Sequence, residues 1–275
     1  MNRHLGQLYR GARVNYLRAM VRLLLAFACV CVARASDFSS RFAVVMIDDQ
    51  TEAQLGPFPY DRAIIARAVE TCAEKGAKAV ALKFFFDLPK SGAGDEALRR
   101  AMTKIPVLLQ ARLESIEGSD QPIPDKFSVG RELPTAIRGD RGWIPLPMLL
   151  EKAAGCGFVD FDSPRIPMVE TYQRKTFKSF IVCCLEAALD KPATFSPNQV
   201  AFGNRAVTLD ERNVFLARFS LTHPWKALSL IRLLERKVEA EELKGRVVVI
   251  GWDSSKTPQI GKVGIHVYYL QALAA

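Results

Sequence analysis

Histidine is scarce: three residues among 275, at positions 4, 223 and 266, none at metal-ligand spacing from another histidine or a cysteine. Zinc sites of the usual kinds and histidine-dependent triads therefore lack sequence support. Glycine motifs that cradle phosphates are missing too, since neither GxxxxGK[ST] nor GxGxxG occurs, and nothing points to a nucleotide. No acidic residue stands in the first 35 positions. Beyond them there is no second apolar run of the ~20 residues that a helix needs to cross a bilayer. Internal repeats and low-complexity tracts are absent as well.

The missing acids explain the net charge of +9. Residues 1–35 carry Arg3, Arg10, Arg13, Arg18, Arg22 and Arg34, and without those six the chain has 32 basic against 29 acidic residues. The basicity belongs to the leader. The body has no basic stripe interleaved with aromatics, which argues against a nucleic-acid partner. In the leader, a basic stretch ends at Arg22, an apolar run spans 23–33, and Ala33-Arg34-Ala35 offers small residues at cleavage spacing. That is the layout of a secretory signal. Extended backward to Tyr16, with Arg18 and Arg22 snorkelling, the same run serves as a membrane anchor. In either case the arginines stay inside and the body is exported. The expectation is a cell-envelope, extracytoplasmic protein, membrane-anchored through residues 1–35 or secreted after cleavage near Ala35.

Six cysteines occur, at 29, 31, 72, 156, 183 and 184. The last four are open to disulfide formation in an oxidising compartment. Cys183 and Cys184 are neighbours on a helical stretch, where cysteines more often pack as small hydrophobes.

From residue 36 the pattern is alternating. Arg41 to Asp49 (RFAVVMIDD) is an apolar run closed by acids, the mark of a buried strand. Arg62 to Lys75 has helical spacing behind Asp61 and ends at Gly76. Ala77 to Phe86 reads as the next strand, which gives a βαβ unit and a parallel pair. A helix at 95–102, a strand at 106–111, a long loop over 114–142, a helix at 147–154 and a strand at 155–161 follow. The stretch after it is irregular. A helix over 178–189, a hairpin of 206–209 with 213–217 around Asp210-Glu211-Arg212, a helix from Pro224 to about Arg236, a strand at 246–251 and a closing helix from Gly264 complete the reading. The fold class is α/β: a mixed, largely parallel sheet flanked by helices, in one domain over 36–275 behind the hydrophobic leader.

Candidate site residues lie where strands end. Asp48 and Asp49 close the first strand and Asp253 follows RVVVIG, positions where open α/β sheets place ligands. Converging carboxylates hold a divalent ion or do acid–base work; alternatively they cap turns where the chain leaves the core. Lys83 stands inside an apolar strand, where a buried ammonium is costly and its pKa falls; the bland alternative is an edge or solvent-facing position. Gly251-Trp252-Asp253-Ser254-Ser255 is a turn able to offer amides to an anion, as any turn after a strand is.

The order of these segments resembles the CHASE-type extracellular sensory domain of the second class, found in front of bacterial histidine kinases, serine/threonine kinases and nucleotide cyclases. The resemblance runs from VVMIDDQTEAQLGPFPYDR (44–62) through the helix-Gly-Ala-strand segment to Phe86 and Pro89. It continues through PLPMLLEKAAGCGFVDFD (145–162) and Ser179, and closes with LKGRVVVIGWD (243–253) and VGIHVYYLQAL (263–273). Three positions depart from the family pattern. An acid near the centre of the second strand is replaced by Lys83 and Phe84; an Asp-Gly and Arg-Arg segment is replaced by 163–173; the closing Glu and His positions fall at His266 and Tyr268.

The resemblance implies a sensor rather than an enzyme, without a cofactor or resident metal. It binds an unknown small-molecule ligand or a membrane partner protein, and with the sequence ending at Ala275 it signals through that partner. The sensing pocket is expected at the strand ends, lined by Asp48, Asp49, Lys83 and Asp253. Two other readings stand beside this one: a structural component of an envelope complex, and a metal-dependent hydrolase built on Asp48, Asp49 and Asp253.

Overall fold

The computed structural model describes residues 40–162, 164–217 and 226–260, together with Val263, Gly264, Tyr269, Leu270 and Leu273. The leader, Ser163, Pro224, His223 and His266 lie outside the described residues, and with them the signal or anchor reading of 1–35. From Arg41 onward the chain forms one compact unit.

Strands rich in β-branched and aliphatic residues build the central sheet. β1 (Phe42–Ile47), β2 (Ala79–Leu82), β3 (Val107–Leu113), β6 (Gly155–Phe158), β14 (Leu228–Ser229) and β15 (Val247–Trp252) run parallel in the order β14-β1-β15-β2-β3-β6. A short antiparallel strand, β5 (Gly142–Trp143), joins the far end of β3. Every residue of β1, β2 and β6 is buried, as expected of parallel strands covered on both faces. The mixed, largely parallel α/β sheet read from the sequence is the architecture of the molecule.

Alternation along the strands assigns two faces. Val45, Leu82, Leu109, Phe158 and Ile250 share one core cluster with Ile65, Val69 and Cys72 of α2 (Arg62–Glu74), Leu98 of α3 (Gly92–Ala101), Leu149 of α4 (Pro147–Lys152) and Leu233 of α6 (Leu230–Leu234). The opposite face is covered by α5 (Phe180–Leu189), seven of whose ten residues are buried. A helix this apolar all round belongs inside a protein. Its Ser179 caps it, with Oγ accepting from the Val182 N–H at 3.3 Å. Gly157 makes the approach possible: a Cβ there would lie 2.6 Å from the Phe180 nitrogen and 2.7 Å from its Cα. Only a residue without a side chain lets the start of α5 rest on β6.

Several sequence-based boundaries are corrected. The stretch after β6 is not irregular: β7 (Arg165–Pro167), β8 (Val169–Tyr172) and β9 (Lys175–Lys178) lie there, with β8 and β9 joined antiparallel and β4 (Arg138–Gly139) beside β8. The expected hairpin around Asp210 does not form. Asp210 Oδ1 accepts from the N–H of both Arg212 and Val214, at 2.9 Å each, and this bend sends β13 (Val214–Leu216) to pair with β7. β12 (Arg205–Thr208) instead closes a meander with β10 (Ala193–Ser196) and β11 (Gln199–Phe202). The helix expected from Pro224 begins only at Leu230, because Leu228 and Ser229 are spent covering the open edge of β1. An unpaired buried strand edge would leave backbone groups unbonded. Gly264, expected to open a closing helix, lies in a strand instead, since Val263–Gly264 pairs antiparallel with Gln259–Ile260.

Candidate functional site

The three candidate aspartates sit at the ends of β1 and β15 and are engaged there. Asp48 caps α1 (Asp49–Leu55): its Oδ1 accepts from the Thr51 N–H at 2.9 Å, the Thr51 hydroxyl at 2.6 Å and the Ser229 hydroxyl at 2.8 Å. Asp49 Oδ1 accepts from the Ser255 N–H at 2.9 Å and its hydroxyl at 2.8 Å, and these bonds hold its carboxyl below the usual range. Asp253 follows β15, its N–H donating to the Ile47 carbonyl at 3.0 Å. The acids thus tie the loops after β1 and β15 to each other and to β14. No group of three or more His, Cys, Asp or Glu suited to a metal occurs among the described residues.

Lys83 is elsewhere in character. It is 5% exposed, so the edge or solvent-facing alternative is overturned. The ladder continues past β2 through its N–H, which donates to the Ile250 carbonyl at 2.8 Å. Register places it in a row across the sheet: Met46 opposite Gly251, then Lys83, then Gln110 opposite Gly157. This row faces α5, because its neighbours Leu82, Leu109 and Ile250 face the other way into the main core.

Around Lys83 the polar groups gather. Its Nζ lies 4.8 Å from the centroid of the Tyr269 ring. No hydrogen bond or ion pair from the described residues reaches it. Burial pulls its pKa down to about 7; Cys184 and Asp160 work against that shift, and Arg112 adds to it. Gln110, in the middle of β3, is wholly buried, and neither its amide nitrogen nor its oxygen has a hydrogen-bond partner. The same holds for both carboxyl oxygens of Glu170 on β8.

Burial, followed by the charge of neighbouring Asp160, drives the Glu170 carboxyl well above the usual range. No bond of standard geometry joins these two acids, and their looser side-chain contact also raises the Glu170 carboxyl. Asp160 itself is raised, chiefly by burial. It keeps two partners at its rim: the Leu113 N–H donates at 2.9 Å, and Arg112 Nε stands 3.5 Å away. Tyr269 closes the group, with its hydroxyl 3.4 Å from the Phe158 carbonyl. Its pKa is pushed far up by burial, then by Glu170 and Cys184.

An unsatisfied buried polar side chain costs about 1–3 kcal/mol, and native proteins hold few of them. Here one of them, Gln110, stands beside Lys83 in the sheet register, and the other, Glu170, neighbours Asp160 and Tyr269. Of the sequence candidates, only Lys83 belongs to this cluster. Gln110, Asp160, Glu170, Cys184 and Tyr269 were missed. A lone Gln in VLLQARL carried the same signal as Lys83 in its strand, whereas Glu170 was hidden because its strand was read as irregular. The four cysteines at 72, 156, 183 and 184 are buried and free, in keeping with the packing reading of helix-borne cysteines.

A parallel sheet covered by helices on both faces, with polar groups at its strand ends and among its core strands, is an open α/β domain. The chain belongs to the CHASE2 domain family, whose model matches residues 15–268. This family is an extracellular sensory domain, and the chain's role is sensory accordingly. No curated protein and no solved structure matches it. No helix among the described residues is long and apolar enough to cross a membrane.

Proposed function

We propose that this CHASE2 domain is a non-enzymatic, extracytoplasmic receiver that takes up its stimulus in the buried cluster of Lys83, Gln110, Asp160, Glu170 and Tyr269. The observation that carries the reading is the pair of wholly buried, unpartnered side chains, Gln110 and Glu170. Unmet hydrogen-bonding capacity is a standing cost that a purely structural core removes by substitution, and a site awaiting a ligand retains it. Asp48, Asp49 and Asp253 frame the neighbouring strand ends and position the loops there. A membrane partner receives the signal, and residues 1–35 serve as export signal or anchor.

The test separates function from structure by its sign. Gln110→Leu and Glu170→Leu are each expected to raise unfolding stability by about 1–3 kcal/mol, read by urea denaturation. If both variants instead lose stability, the cluster is part of the scaffold and the reading fails. Cell fractionation with external protease checks the topology. The body is expected to be cleaved in cells whose inner membrane is intact, and full protection would place it on the wrong side.

A further inference from the structure

Resting on that reading, we infer that the buried cluster takes a small zwitterion, an amino-acid-like molecule that carries a carboxylate and an ammonium a few bonds apart.

The charges and hydrogen-bonding groups are arranged for it. Lys83, at the end of β2, offers a cationic donor that no described side chain pairs with, its nearest aromatic face being the Tyr269 ring at 4.8 Å. Beside it on β3, Gln110 offers an amide nitrogen and an amide oxygen, both free. The acids complete the group: Glu170 on β8, whose oxygens make no hydrogen bond of standard geometry, and Asp160, bonded by the Leu113 N–H with Arg112 Nε 3.5 Å away. Asp160 and Lys83 sense each other electrostatically but form no ion pair among the described residues. A buried ammonium without an ion-pair partner, an amide with neither end bonded and a buried carboxyl without a standard bond form a poor core and a receptor for a ligand with both a donor and an acceptor end.

A ligand carboxylate satisfies the Lys83 ammonium and the Gln110 NH2. A ligand ammonium donates to the oxygens of Glu170 and Asp160 and to the Gln110 carbonyl. A simple anion leaves the acids unmet, and a simple cation leaves Lys83 unmet. The ligand is small, because the row is closed at both ends: a Cβ at Gly251 would meet Met46 Sδ at 3.3 Å, and Gly157 is filled by the start of α5.

The experiment is calorimetric titration of the full chain with glycine, L-alanine and β-alanine, against acetate, methylammonium and N-acetylglycine. Saturable binding is expected for at least one zwitterion, about 10-fold or more tighter than for any of the three controls, since one charge-assisted hydrogen bond is worth at least that much. Lys83→Met and Glu170→Gln are each expected to weaken it by about 10-fold or more. Both keep the shape of the side chain, and circular dichroism confirms that they fold. Equal binding of acetate or methylammonium, or no saturable binding of any zwitterion, overturns the ligand class. If the leucine variants at 110 and 170 still gain stability in that case, only the ligand class falls. If they lose it, the receiving site falls too.

Discussion

Asp95→Ala is expected to destabilise the domain by about 3–5 kcal/mol, the usual cost of removing one partner from a buried ion pair. Arg62 Nη1 lies 2.5 Å from Asp95 Oδ1, with the two side chains 7% and 5% exposed. The pair joins three segments. Arg62 opens α2 and also donates through Nη2 to the Leu88 carbonyl, in the loop that follows β2. Its guanidinium stands 5.2 Å from the centre of the Phe86 ring. Asp95 lies in the first turn of α3 and accepts from the Lys90 N–H at 3.3 Å. With alanine at 95 the guanidinium stays buried with a carbonyl as its remaining partner, and that loop carries the strain.

The double variant Arg62→Met with Asp95→Leu is expected to lose far less than either single change. Replacing both charges by apolar groups of similar volume is often near neutral, whereas leaving one charge alone is not. Urea denaturation of the three variants gives the comparison. A loss below about 1 kcal/mol for Asp95→Ala would show that water reaches the pair and that it behaves as a surface salt bridge.

Fold and site were legible to different degrees, for physical reasons. Continuous apolar runs such as FAVVMI and VVVIGW announce parallel strands because both of their faces are covered, and no alternation is needed to detect them. Asp61 and Ser179 mark helix starts through side chains that accept from the first free N–H groups, whereas Ser91 starts α3 at Gly92, ahead of the expected 95. What stayed hidden are the short strands β7 to β11 and the partner of β12. Their pairing is set by turns at Gln173-Arg174, Asn198 and Gly203, all at positive φ, and by partners distant in sequence, as when β13 meets β7. Such non-local pairing leaves little local trace.

The site divides in the same way. Asp48, Asp49 and Asp253 are visible because acids after an apolar run are conspicuous, yet each has local work there as a cap or a loop tie. Lys83 is visible as a charge among apolar residues. Glu170 sits in MVETY, a segment with polar neighbours in sequence and none of water in space. Opposite it on β9 stands Phe177, part of a layer with Phe158 and Tyr172 whose rings meet at 5.9 to 6.4 Å between centroids. That layer is a property of tertiary packing, and no spacing in the chain announces it.

Lys83→Met is expected to stabilise the unliganded domain by about 4 kcal/mol near pH 7, and the gain should depend on pH in a defined window. The ammonium ordinarily titrates at 10.5, and burial brings it to about 7 in the folded protein. At ~1.4 kcal/mol per unit, that displacement represents about 4–5 kcal/mol. Below pH 7 the folded and unfolded states both hold the proton, so the cost of burying the charge is present in full. Between about 7 and 10.5 the folded protein has released it while the unfolded chain has not. The unfolded state then binds more protons, and stability rises with pH. Above 10.5 both are neutral and the cost is gone.

Glu170 acts in the opposite sense. Its carboxyl is raised, so the folded state keeps a proton that the unfolded chain gives up above about 4.5, and its contribution falls as pH rises. Both the parent and the methionine variant retain Glu170, so subtracting their stability curves isolates Lys83. Chemical denaturation from pH 6 to 10 should show a difference that is largest at the acid end and shrinks steadily toward the alkaline end. A flat difference would mean that the ammonium is solvated or paired in solution, and the cluster would lose its cation. A shrinking one would show a residue held at a cost larger than the penalty of either unpartnered neighbour. The Tyr269 ring and the charge of Asp160 offset only part of that cost, and a negatively charged group that reaches Nζ would remove more of it.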